Sequence, residues 1–79
     1  MEEFIGTIKA FAFDFTPQGW LKCEGQLLAI QEYTALFSLI GTKYGGDGRT
    51  NFALPDLREM KLNYCILVSM GHGVYPSRS

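Results

Sequence analysis

A chain of 79 residues has room for one domain, and a domain this small buries roughly 60–65% of the surface its unfolded chain exposes. Seven basic and eight acidic residues give a net charge of −1 with no run of like charge, which argues against nucleic acid or an anionic membrane as partner. Hydrophobic residues make up 47% of the chain and aromatic residues 14%, a heavy apolar load for so small an interior, so part of it is expected at an interface.

Phe4 to Phe15 is rich in Phe, Ile and Thr and lacks Pro, which predicts an extended strand. Ile5, Thr7, Lys9, Phe11, Phe13 and Phe15 would share one face, and Phe4, Gly6, Ile8, Ala10 and Ala12 the other. Both faces are largely apolar, so the strand is expected either at the centre of the domain or against another subunit. Thr16-Pro17-Gln18-Gly19 predicts a chain reversal. Trp20 to Ile30 follows as a second extended segment, interrupted by Glu24-Gly25-Gln26, and should form a hairpin or corner around Trp20.

Gln31 to Ile40 carries Tyr33, Leu36, Phe37 and Ile40 at i, i+3, i+4 and i+7, the stripe of a helix packed on one side, with Gly41 as its stop. Gly41 to Asp56 is a long glycine-rich segment that can be ordered only if its anchors Tyr44, Phe52 and Leu54 are buried. Leu62 to Val68 suits a short buried strand, and a Gly- and Pro-containing tail runs from Gly71 to Ser79. The fold class is therefore α+β: an N-terminal strand and hairpin, one short helix, a long ordered loop and a closing strand.

No stretch approaches the ~20 consecutive apolar residues of a membrane helix, and the Met1-Glu2-Glu3 start is acidic where a signal peptide is basic. A soluble chain without a classical export signal or membrane insertion is expected. Cys23 and Cys65 are accompanied by neither a CxxC nor a histidine cluster, leaving a disulfide or two buried thiols open, with buried thiols favoured.

The ordered motifs resemble the phage tail collar domain family, and within it the branch described as microcystin-dependent proteins. Phe4-Ile5-Gly6-Thr7-Ile8 opens the resemblance, and Pro17-Gln18-Gly19-Trp20-Leu21-Lys22-Cys23-Glu24-Gly25-Gln26-Leu27-Leu28 continues it. Thr34 to Gly41, Tyr44-Gly45-Gly46-Asp47-Gly48-Arg49-Thr50 and Phe52-Ala53-Leu54-Pro55-Asp56-Leu57-Arg58 complete it. The core signature spans 4–58, and the closing strand and tail span 62–79, ending on the family-like Pro76-Ser77-Arg78. A variable region usual in the family after Arg58 is missing, since Glu59-Met60-Lys61 leads almost directly to the closing strand. The resemblance implies one collar-like domain over 1–79 that serves structurally in a virion or extracellular phage-like particle, made in the bacterial cytoplasm. It also implies a homo-oligomer, trimer or filament, with other tail-like proteins as further partners.

The remaining motifs favour structure over chemistry. The Tyr44–Thr50 loop lacks the Gly-Lys-Ser/Thr ending of a phosphate loop, and Asp47, Asn51 and Asp56 lack EF-hand spacing, so Asx turns are expected of them. His72 is the only histidine and no Gly-x-Ser-x-Gly elbow is present, which leaves a serine triad without parts. Trp20 reads as an anchor of the hairpin before it reads as a sugar-stacking platform. No catalytic, metal or cofactor residue is assigned. The self-association surface is expected at Phe4, Ile5, Ile8, Phe11 and Phe13. The alternative function, a small carbohydrate- or protein-binding module, would use Tyr44, Arg49 and Phe52.

Overall fold

A computed structural model describes residues 3–77; Arg78 of the expected C-terminal ending lies outside the described residues. The element order is β1 (Ile8–Phe11), β2 (Trp20–Lys22), β3 (Leu27–Ala29), α1 (Thr34–Ile40), β4 (Asn51–Ala53) and β5 (Asn63–Leu67). Two antiparallel sheets result, a three-stranded one in the order β1-β5-β2 and a two-stranded one of β3 with β4. The α+β class expected from the sequence is the class observed.

The apolar run near the C-terminus is the centre of the larger sheet, because only β5 has a strand on each side. Its residues Cys65, Ile66 and Leu67 are buried, and they join Ile5, Cys23, Leu28, Leu36, Phe52 and Leu54 in the core. The first strand is therefore not central, and its extent is shorter than the Phe4–Phe15 expectation. Two features cut it. At its start, Gly6 N–H donates to Leu67 O (2.9 Å) while Leu67 N–H donates to Thr7 O (2.9 Å). Two residues thus face one, a bulge that Gly6 permits at φ +91°. At its end, the Asn63 amide donates to Phe13 O (3.0 Å) and Phe15 O (2.9 Å), curling the chain out of the sheet.

The reversal at residues 16–19 forms as expected, with Trp20 N–H donating to Pro17 O (3.1 Å) and Gly19 at φ +90°. It makes a corner and not a hairpin, since β1 and β2 lie on opposite sides of β5. The expected helix is realised over its last seven residues. Leu36 is its buried residue, Tyr33, Phe37 and Ile40 pack against the core, and Gly41 ends it with its N–H on Phe37 O (2.7 Å).

The long loop is ordered by pairing as well as by anchors. Leu28 sits opposite Phe52 in the β3–β4 ladder, and Leu54 N–H donates to Gln26 O (3.1 Å). Phe52 and Leu54 are buried, but Tyr44, the third expected anchor, is exposed. Gly46 explains how the loop turns without it. Its φ is +96°, and a Cβ there would collide with the Phe52 backbone, so only glycine lets the loop lie against β4.

Candidate functional site

The expected self-association residues separate into two groups. Ile5 is 2% exposed and belongs to the core, held where its N–H donates to Val74 O (2.8 Å). It is unavailable to a partner, which corrects its assignment to the interface: the bulge at Gly6 and Thr7 turns it inward. Phe4, Ile8 and Phe13 are exposed, and Phe11 is half-buried.

The curled segment after β1 builds an aromatic array. Phe11 and Phe13 centroids lie 4.9 Å apart, and Phe13 and Phe15 stack at 4.2 Å with an interplanar angle of 15°. Phe11 in turn meets Trp20 edge-on at 5.4 Å, so the array runs from the core margin to solvent. Trp20 is an anchor at its inner end, as its place after the turn suggested. Phe13 is 39% and Phe15 65% exposed, although rings of this size ordinarily stabilise a fold by being buried. Phe15 was not singled out in the sequence, yet Phe recurring at positions 11, 13 and 15 was a readable signal. What could not be read was the Asn63 clamp that stacks them.

The loop residues also divide. Phe52 is 0% exposed, which removes it as a ligand contact; its ring packs at 5.3 Å from Phe37 beneath the helix. Tyr44 is 42% exposed with the Lys43 ammonium 5.7 Å from its ring centre, and Arg49 is exposed nearby in sequence. Asp47 makes this loop stiff. One carboxylate oxygen accepts the N–H groups of Arg49 (2.8 Å), Thr50 (2.9 Å) and Asn51 (3.1 Å), and the other accepts the Thr50 hydroxyl (3.0 Å). These bonds, led by the one from Thr50 N–H, hold the carboxyl well below the usual carboxylate range. Asp56 forms a two-bonded pair with Arg58, Nε to Oδ1 at 2.9 Å and Nη2 to Oδ2 at 2.7 Å, which lowers its pKa to about 2. Both aspartates thus brace the backbone, as their turn chemistry predicted.

Cys23 and Cys65 are free thiols in the core. Burial, with Cys65 nearby, pushes the Cys23 thiol up to about 11, and burial raises Cys65 as well. Neither is a ready nucleophile, because the reactive thiolate is the form that burial disfavours.

One pair was not foreseen: Ser69 Oγ lies 3.2 Å from His72 Nδ1. The same hydroxyl accepts Gly71 N–H at 3.2 Å, and His72 N–H donates to Ser69 O at 3.0 Å. The pair therefore closes a local turn. The His72 ring lies over Gly19, where a Cβ would come within 2.6 Å of it. A shallow groove of about 820 Å³ beside it is bordered by Trp20, Tyr33, Glu32 and Met70. Among the described residues no group of three His, Cys, Asp or Glu could hold a metal ion, and no helix is long and apolar enough to cross a membrane.

Comparison with known proteins agrees with the geometry. No curated protein matches the chain. The Phage Tail Collar Domain matches residues 6–61, a span that contains the bulge, β1 to β4, the helix and the braced loop. That family is a structural one of phage tails. With well over half its length matched, this chain belongs to the phage tail collar domain family.

Proposed function

We propose that this chain is an assembly module of a phage-tail-like particle or filament, and that it acts by self-association and not by catalysis. The observation that carries the reading is the exposed stack of Phe13 and Phe15 beside Phe11. A chain of this size gains little stability from rings left in water, whereas burying one phenyl ring against a partner contributes about 1.5–3 kcal/mol. Exposed Phe4 and Ile8 extend the available apolar surface. In this reading the product is a trimer or filament in a virion or an extracellular phage-like particle, with other tail proteins as neighbours; membership in a tail family supports it. The whole chain, 1–79, acts as the unit.

Light scattering coupled to size exclusion over a hundredfold range of concentration tests this. A defined oligomer is expected, and Phe15→Ser should raise its dissociation constant roughly tenfold or more. A wild-type chain that stays monomeric throughout refutes the reading.

A second reading has one observation in its favour, the exposure of Tyr44 and Arg49 on a loop that Asp47 already holds rigid. Preorganisation of that kind lowers the entropy lost on binding. In this reading the loop takes a carbohydrate or a partner protein. Saturable chemical-shift changes at Tyr44 on titration with a glycan, abolished by Tyr44→Ala, would favour it over assembly.

A further inference from the structure

We propose that the open edge of the larger sheet, Ile8–Phe11, pairs antiparallel with the same segment of a second copy about a twofold axis at Lys9. The two three-stranded sheets then become one continuous sheet. This deepens the self-association reading and rests on it.

The ladder itself says which backbone groups are free. Leu67 N–H donates to Thr7 O and Cys23 N–H donates to Tyr64 O (3.0 Å) on the other side of β5. In the observed register, Lys9 with Cys65 and Phe11 with Asn63 are then the hydrogen-bonded pairs. Ile8 and Ala10 turn their N–H and C=O groups away from β5, and neither makes a hydrogen bond on that side to any described residue. The molecule closes the neighbouring part of this edge with its own tail. Ile5 N–H donates to Val74 O and Val74 N–H donates to Glu3 O, both at 2.8 Å. Past Phe11 the Asn63 clamp takes the chain out of line. What stays open is a slot four residues long.

A second copy fits that slot because the slot is complementary to itself. Centred on Lys9, Ile8 of each chain faces Ala10 of the other, and the two residue pairs exchange four hydrogen bonds, using every open donor and acceptor. Small Ala10 leaves room for Ile8. The central pair is Lys9 against Lys9, which alone would repel, and an edge lysine ordinarily serves to block pairing. Here the Lys9 ammonium is ion-paired with Glu3 of its own chain. Each copy therefore brings a neutralised pair, and the axis carries alternating charge instead of two bare cations.

Three variants of the full chain, with light scattering and non-reducing electrophoresis, test the pairing. Lys9→Cys places two thiols at the non-hydrogen-bonded position, about 4.5 Å apart between Cα atoms, within the range of a disulfide. Mild oxidation should give a covalent dimer, while buried Cys23 and Cys65 do not compete. Ala10→Pro removes an outward N–H and leaves the bonds to β5 in place, so it should break this contact and lower the mass of the oligomer with its circular dichroism unchanged. Glu3→Gln should weaken the dimer about two- to fivefold, and adding Lys9→Gln should restore it, a rescue that a merely structural role for Glu3 does not predict. Absence of the Lys9→Cys crosslink overturns the proposal, as does a trimer or larger oligomer indifferent to Ala10→Pro; in both cases self-association through the aromatic array survives if wild type still associates. A wild-type monomer at every concentration overturns both.

Discussion

Asp47 and Asp56 show how much of this fold is carried by carboxylates that no core contains. Each is exposed and each has a pKa below its unfolded value, so the bonds it makes stabilise the folded state at any pH above the unfolded range, near about 3.9. As pH falls from there, the unfolded chain takes up protons first and stability declines. For Asp56 the decline is complete below about 2, and for Asp47 it continues lower. Melting temperature should therefore be level from pH 7 to about 5 and fall between about pH 4 and pH 2, modestly because both groups are exposed. Salt should blunt the Asp56 part, which depends on Arg58, more than the Asp47 part, which depends on backbone N–H groups. In Asp47→Asn the acid slope should flatten, and an unchanged slope would refute the assignment. That both aspartates act as turn braces was legible from their short side chains among glycines. Which backbone groups they bind was not, since that depends on the path of residues 48–51.

At the scale of elements, the helix and the closing strand were readable because each is encoded by one local pattern, a stripe from Tyr33 to Ile40 and an apolar run from Leu62 to Val68. The first strand was not. Phe, Ile and Thr over Phe4–Phe15 satisfy β preference throughout, but a bulge against Leu67 and a clamp from Asn63 trim it to Ile8–Phe11. Both trimming residues lie about fifty to sixty positions downstream, beyond any window in which periodicity operates. The β3–β4 ladder is the element most dependent on one residue, Gly46. Gly46→Ala should cost about 2–4 kcal/mol, the sum of a left-handed backbone strain and a displaced Phe52. Denaturant unfolding checks this; a loss under about 1 kcal/mol would mean the loop can leave β4 without disturbing the core.

For the whole molecule, the decisive quantity is apolar surface left outside. Among the described residues ten buried apolar side chains make the core, while Phe4, Phe13, Phe15, Leu27 and Met70 remain exposed. If association covers part of that surface, binding and folding are linked and the melting temperature must rise with protein concentration. A scan from low to high micromolar should show the rise for wild type and lose it for Phe15→Ser. A concentration-independent melt in wild type would leave the aromatic array without a partner and shift interest to the Tyr44 loop.

The sequence by itself determined the α+β class, the helix, the glycine-dependent loop and the collar family, because each of these follows from local pattern or from ordered motifs; between a disulfide and two buried thiols at Cys23 and Cys65 the structure decided, for the thiols. It also located the surplus of apolar residues near the N-terminus. Tertiary structure alone decided that Ile5 lies inside and Tyr44 outside, that Phe13 and Phe15 stack in solvent, and that β1 is an edge beside a central β5. Those outcomes turn on which strand β5 accepts on each side. Strand pairing between distant segments is a competition among hydrogen-bond registers, settled by packing and not by the preference of any one residue.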